Sequence, residues 1–353
     1  MKTKKWLIVY ILSSIPLLAL IAALTIFVDP YFHYHKPHTD LFFYELSNDN
    51  ERYLNDGITL HFDYDAILTG TSMMENFKSS EFDAAFDCKT IKLPYRGGTL
   101  YEINSNQEKA FQNHSVKYIF RSLDYYMLNK ESTEKRNHFT YPEYLYNKNL
   151  VDDVKYIWNI NVLSSIAKSF VKYLKKESGI TPFDEYGNWM SEYVFGKKEV
   201  LKGRTKFKSP KNFFEFTEQD ENRTRNNVQK NIVDIAVAHP ETQFYYFLPP
   251  YSIAEWGILY ENGDLQRRLK EEAITVQLLV GYDNIHLFSF NSKTDWILNL
   301  DRYKDTVHYD DKINSEMVKL MREDKYRITK ENVDDYLKAE TDFFMNFDYN
   351  SIF

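Results

Sequence analysis

The sequence lacks several features that define common protein classes. It has one cysteine, Cys88, in 353 residues. That excludes an intrachain disulfide and a cysteine-built zinc site. The lone thiol leaves the compartment open, because many exported bacterial proteins carry no disulfide. No basic tract follows the first few residues, and the net charge is −7. Nucleic acid is therefore not an expected partner, since such binders present a clear basic patch. There is no internal repeat and no low-complexity segment, so neither a solenoid nor a long disordered arm is expected.

What is present is a core-forming chain. Hydrophobic residues make up 43% and aromatics 17%, chiefly 28 Tyr and 26 Phe. The length suits one large domain or two modest ones. Trp6 to Val28 is uncharged and mostly apolar, long enough as a helix to cross roughly 30 Å of hydrocarbon. Lys2, Lys4 and Lys5 precede it and Asp29-Pro30 ends it, so the expected orientation puts the N-terminus in the cytoplasm and the rest outside. A cleaved signal peptide is the rival reading, but Val28-Asp29-Pro30-Tyr31-Phe32 is a poor cleavage site. Pro16 can kink the segment, which a membrane helix tolerates. Tyr31, Phe32 and Tyr34 suit a headgroup layer, and His33, His35 and His38 alternate with them. These histidines read as an interfacial collar rather than a metal site, because no nearby Cys, Asp or Glu except Asp40 helps to complete a ligand set.

Beyond this segment, short apolar runs alternate with helical patterns, which predicts a parallel sheet covered by helices. Strands are expected at Tyr64–Leu68, Thr90–Leu93, Val116–Phe120, Gln243–Leu248 and Asn284–Phe290. Helices are expected at Ser79–Phe86, Thr99–Asn113, Val154–Leu174, Asn227–Ala238, Leu265–Val280 with Gly281 as its cap, and Lys312–Met321. The chain thus divides into a cytoplasmic N-terminus (1–5), an anchor (6–28), a juxtamembrane segment (29–59), a catalytic α/β domain in two pieces (60–124 and 221–323), an aromatic-rich insertion with one clear helix (125–220) and a C-terminal extension (324–353) that no pattern places.

Chemistry-bearing residues fall at strand ends, where sites form in open parallel sheets. Gly70-Thr71-Ser72 follows the first strand, Gly97-Gly98 the second, Ser122-Leu123-Asp124 the third, and Asp305 and His308 come between the fifth and the last helix. A serine hydroxyl needs a base to take its proton and a third group to orient that base. Ser72, His308 and Asp305 supply those roles. The N–H of Ser72 with that of Gly97 or Gly98 can form an oxyanion hole. Asp124 and Tyr125 are candidate substrate contacts, and no metal or cofactor is called for. A second Asp-x-x-His, Asp283 and His286, lies at the start of a strand and reads as structural.

This order of motifs resembles the SGNH/GDSL hydrolase superfamily. Gly70-Thr71-Ser72 matches the family's Gly-Asp-Ser with Thr71 for Asp. Gly97 or Gly98 matches its oxyanion glycine, and Asp305-Thr306-Val307-His308 its last motif. The third motif, Gly-x-Asn-Asp, reads Ser122-Leu123-Asp124-Tyr125, so its oxyanion asparagine is missing. The resemblance covers roughly residues 60–125 and 225–322 and implies a three-layer α/β/α fold. With its N-terminal anchor the plan is similar to membrane-anchored relatives of the D-alanyl-lipoteichoic acid transfer and alginate O-acetylation types. Those imply acyl transfer onto an envelope glycopolymer, an acyl donor, and a membrane-bound O-acyltransferase as partner. The alternatives are an esterase or deacetylase and a non-catalytic anchored scaffold. Tyr125, Tyr126 and Trp158 could line a sugar-binding wall, or could be ordinary core.

Overall fold

The apolar runs pair in register into one sheet. The computed structural model describes residues 2–136, 141–147, 149 and 151–353. Its main strands are β1 (Ala66–Gly70), β2 (Thr90–Pro94), β3 (Tyr118–Ser122), β4 (Gln243–Leu248), β5 (Ile285–Ser289) and β6 (Arg327–Ile328). The order across the sheet is β2-β1-β3-β4-β5-β6, parallel throughout except for β6. Ala66 faces both Thr90 and Tyr118, so β1 is central between β2 and β3. The chain runs from β1 to one side and then returns to the other. This reversal opens a crevice at the carboxyl ends of β1 and β3.

Burial on both faces explains why the strands read as continuous apolar runs. Every residue of β1 and β2 is buried. Against one part of the sheet the helix Ser79–Phe86 lays Phe82 and Phe86 on Phe120, with ring centroids 4.4 and 4.8 Å apart. Each such ring is worth about 1.5–3 kcal/mol when fully buried. The helix Leu100–Asn113 starts at a capping box, in which the Thr99 side chain accepts from the Glu102 N–H and Glu102 reaches back to the Thr99 N–H.

The chain forms two units. The first takes the residues up to Phe62 and the described part of 139–182; the second takes Asp63 to Arg136 and Phe183 to Phe353. The sheet belongs to the second unit. The expected insertion is thus divided, with 183–220 folding among the sheet's own elements. The expected helix Val154–Leu174 is two helices, Val154–Ile157 and Ile160–Leu174. Asn159 breaks it, leaving the helical conformation to cap the Asn161 N–H with its side chain. The expected β1 and β3 begin two residues too early. Gly281 is not the cap of Leu265–Leu279, whose carboxyl end turns through Val280 in right-handed geometry.

The unplaced C-terminal tail belongs to the second unit. Arg327–Ile328 pairs antiparallel with β5, and the helix Val333–Asn346 stacks Phe344 on Trp256 at 3.7 Å. The helix Ile253–Asn262 was also not expected.

In the first unit, Lys2–Val28 is one helix, and its stretch Lys5–Val28 is long and apolar enough to cross a membrane or to act as a signal sequence. A second helix, Glu51–His61, follows it. It packs so closely on Tyr31 and Phe32 that a Cβ at Gly57 would lie 2.1 Å from the Tyr31 carbonyl oxygen. His33 sits between Asp56 (3.5 Å) and Asp153 (3.4 Å), acids that are remote in sequence. Burial lowers the His33 imidazole's proton affinity, but the surrounding carboxylates outweigh it and raise its pKa. Among the described residues, no group of three or more His, Cys, Asp or Glu is placed to hold a metal ion.

Candidate active site

The turn after β1 is built on a glycine in a backbone conformation that other residues rarely adopt. Gly70 has φ +143°, and a Cβ there would lie 2.5 Å from both Met74 Cγ and Ser122 Oγ. Thr71 follows in extended geometry and caps the single 3₁₀ turn Ser72–Met74, accepting from the Met73 N–H at 3.3 Å. Ser72 is therefore lifted off the strand end and partly exposed, and its own N–H has no hydrogen-bond partner among the described residues.

His308 arrives on a loop pinned at both ends. Tyr303 and Tyr309 bridge the loop's base, and Arg302 grips Asp310 with two hydrogen bonds of 2.8 and 2.7 Å. Within it, Asp305 accepts from the N–H groups of Val307 and His308, both at 2.9 Å. Asp305 Oδ2 lies 2.8 Å from His308 Nδ1, and Ser72 Oγ lies 2.9 Å from His308 Nε2. With Nδ1–H donating to the carboxylate, Nε2 is left as the acceptor facing the serine. Burial pushes the Asp305 carboxyl up, but the bonds and charge from His308 and the two backbone N–H groups outweigh it. They hold Asp305 well below the ordinary carboxylate range. Lys304 Nζ adds a positive charge 3.3 Å from Asp305 Oδ2.

The loop is also tied to the helix Ile253–Asn262. The Ser252 N–H and hydroxyl both donate to the Thr306 carbonyl, at 3.1 and 2.7 Å. Thr306 donates through its hydroxyl to one oxygen of Glu255, and Tyr125 donates to the other at 2.6 Å. Tyr125 thus braces the histidine loop through Glu255, a role the sequence did not suggest.

Gly97 and Gly98 differ in what they leave free. The Gly98 N–H closes a turn on the Tyr95 carbonyl at 2.7 Å. Gly97, at φ +56°, has no hydrogen-bond partner for its N–H among the described residues, and the Arg136 guanidinium packs where its Cβ would be. Of the two, Gly97 is the one able to donate to a substrate oxygen.

Asp124 is not a surface contact. It is fully buried. Thr71 (2.8 Å) and Ser122 (3.0 Å) donate to Oδ2, and Tyr251 donates to Oδ1. Burial raises its pKa, and those hydroxyls partly offset the rise. With both oxygens bonded and no exposure, it holds the Ser72 turn rather than facing solvent, which corrects the expectation of a substrate contact.

Residues missed by sequence reasoning complete the surroundings. Trp189, from the second half of the expected insertion, stands edge-on to His308 with ring centroids 5.4 Å apart. The Trp189 backbone N–H donates to Asn76 Oδ1 at 3.1 Å. Tyr193 packs next to Trp189, and Lys304 lies 3.8 Å above the Tyr193 ring. Buried Lys92 donates to the carbonyls of Glu75 (2.8 Å) and Phe77 (2.9 Å), fixing the segment after Ser72. Burial lowers its pKa to about 7. Trp158 belongs to the first unit, whereas Tyr126 and Trp189 belong to the second. His286 packs on Tyr245 within the sheet and bonds Gln243 at 2.8 Å. Burial lowers its pKa to about 4.

No protein-family model matches the sequence, and no curated protein matches it significantly. A solved structure from Streptococcus pneumonia, named for a platelet activating factor, aligns over 82% of this chain and 90% of its own at 12% identity, with a TM-score of 0.37. At that score the likeness carries no argument.

Proposed function

We propose that the chain is a serine acyltransferase of SGNH type, anchored by its N-terminal helix, that moves an acyl group onto a cell-envelope polysaccharide at the outer membrane face. The observation that carries this reading is the unbroken chain from Ser72 Oγ through His308 to Asp305, at 2.9 and 2.8 Å.

In the proposed reaction His308 Nε2 takes the Ser72 proton as Oγ attacks the acyl carbonyl. The imidazolium that forms is stabilised by Asp305, whose lowered pKa keeps it ionised. The N–H groups of Ser72 and Gly97 hold the developing oxyanion. His308 then passes its proton to the departing group, leaving an acyl ester on Ser72. A sugar or polyol hydroxyl enters next. His308 takes its proton, its oxygen attacks the ester carbonyl, and the proton returns to Ser72 Oγ as the ester leaves. Water in place of that hydroxyl gives an esterase. An oxyanion donor is worth on the order of 3 kcal/mol, so Asp124 in place of the family's asparagine predicts slower chemistry unless a third donor serves. The anchor favours transfer over free hydrolysis, because it keeps the enzyme beside membrane-borne donors. A membrane-bound O-acyltransferase is the proposed source of acyl groups.

The test is envelope acylation in cells producing Ser72→Ala at wild-type level. Acylation equal to wild type overturns the catalytic reading. With purified protein, aryl acetate turnover lost in Ser72→Ala and His308→Ala excludes a silent scaffold. A glycan that accepts the acyl group in preference to water separates transferase from esterase.

A further inference from the structure

The first unit carries a helix whose free side is apolar. Ile160–Leu174 is held through Val162, Ile166 and Ser169, which are buried. Its other side presents Ile160 (76% exposed), Val171 (53%) and Leu174 (78%), with the small Ser164 and Ala167 between them. These positions recur at 160, 164, 167, 171 and 174, the spacing of one helical face. Trp158 and Val154, just before it, are also exposed. Apolar faces of this extent are rarely left to water.

Hydrogen bonds fix where this face stands. Tyr31, three residues past the end of the apolar N-terminal helix, meets Ser165 at 3.0 Å and the Asn161 carbonyl at 3.3 Å through its hydroxyl. The Tyr31 N–H donates to Tyr156 at 3.1 Å, and the Tyr156 hydroxyl donates to Asp29 at 2.6 Å. Thr25, within the last turn of the N-terminal helix, reaches the Ile157 carbonyl at 3.5 Å. The helix is therefore tied to the place where the apolar span leaves the hydrocarbon. Lys168, Lys175 and Lys176 are exposed on or just after it, against one neighbouring acid, Glu177.

We infer that the helix Ile160–Leu174 is an interfacial element that sinks its Ile160, Val171 and Leu174 face into the membrane the N-terminal helix crosses, with its lysines toward anionic headgroups. An apolar stripe beside lysines, a nearby tryptophan and a fixed depth are what such an element requires. The unit is thereby held against the surface by two elements. This rests on the anchor reading of the N-terminal helix.

The experiment reconstitutes the full chain, with Cys88→Ser, into vesicles of equal phosphatidylglycerol and phosphatidylcholine. A cysteine at Val171→Cys or Ile160→Cys carries an environment-sensitive dye, and Lys319→Cys, exposed in the second unit, is the control. The expected result is roughly a twofold or greater loss of emission at 171 and 160 with brominated acyl chains, together with protection from iodide. The control label shows the reverse. A chain that floats with the vesicles but whose 171 and 160 labels stay iodide-accessible overturns the interfacial helix and leaves the anchor standing. A chain that does not float overturns both. Labels shielded only in native membranes, never in pure lipid, overturn the lipid contact in favour of a protein partner.

Discussion

Thr71 donates a 2.8 Å hydrogen bond from its hydroxyl to Oδ2 of Asp124. Two of the positions at which the sequence differs from the motifs it resembles therefore touch. Where the resembled motifs have a carboxylate beside the serine and an amide after the third strand, this chain has a hydroxyl and a carboxyl. The pair is still polar and complementary, but donor and acceptor have changed sides. The third-motif departure thus has a structural use, because Asp124 takes three hydroxyl donors and braces the turn from below.

Asp124→Asn is therefore expected to destabilise rather than to restore an oxyanion donor. An amide offers one oxygen where the carboxyl offers two, and Thr71, Ser122 and Tyr251 compete for it. A loss of about 1–3 kcal/mol is expected. It is measured as a lowered denaturation midpoint, together with slower labelling of Ser72 by a serine-directed fluorophosphonate. Unchanged stability with faster turnover would sink the bracing role.

Asp305→Asn addresses the base. An asparagine cannot carry the charge that faces the imidazolium, and its amide favours the wrong histidine tautomer. Turnover of an aryl acetate is expected to fall by about 10³–10⁴-fold. Asp305 also accepts two backbone N–H groups, so the melting temperature is measured alongside. A fall of less than tenfold removes Asp305 from the mechanism.

Much of this site could be read in the sequence, and the reason is topological. In a parallel sheet every strand end lies on one edge, so Ser72, Gly97 and Asp124 are co-located once the strands are recognised, and their continuous apolar runs made that possible. The spacing of Asp305 and His308 needed one further fact, a loop and not a strand, which also sets them apart from Asp283 and His286. What escaped was contact made by irregular chain. Trp189 reaches His308 from a segment with no period to read. The helix Ile253–Asn262 did carry a signal, Ser252-x-x-Glu255, the form of a capping box. Yet the side chains serve elsewhere: Ser252 and Glu255 both bond Thr306 and so hold the loop that carries His308. The tail was unreadable because Arg327–Ile328 is too short to show alternation.

Glu255→Gln tests that hold. Glu255 accepts from Thr306 and Tyr125, so a glutamine turns an amide NH2 donor toward one of the two hydroxyls. A shift of His308 by a fraction of an ångström is expected to lower kcat by about 10–100-fold with KM little changed. Glu255→Asp, which keeps the charge on a shorter stem, should recover only part. A KM effect without a kcat effect would assign Glu255 to substrate binding instead.

The tail makes its own prediction through pH. Glu340, on the helix Val333–Asn346, is buried against Glu272, with Tyr336 and Asn291 bonded to the same pair. Burial, then the neighbouring charge of Glu272, raises the pKa of Glu340 well above the ordinary range, and burial raises that of Glu272. The folded state therefore keeps a proton that the unfolded chain releases near pH 4.3, roughly the free value. Its stabilising contribution is complete below that pH and is lost as pH rises toward the folded value, at up to about 1.4 kcal/mol per pH unit. Glu340→Gln supplies a permanent N–H donor to Glu272 without a proton to lose. The variant is expected to melt higher than wild type at about pH 8, with the gap closing toward pH 4–5 or so. A gap that widens toward acid would mean that the two carboxyls are ionised in the fold, each held by other partners.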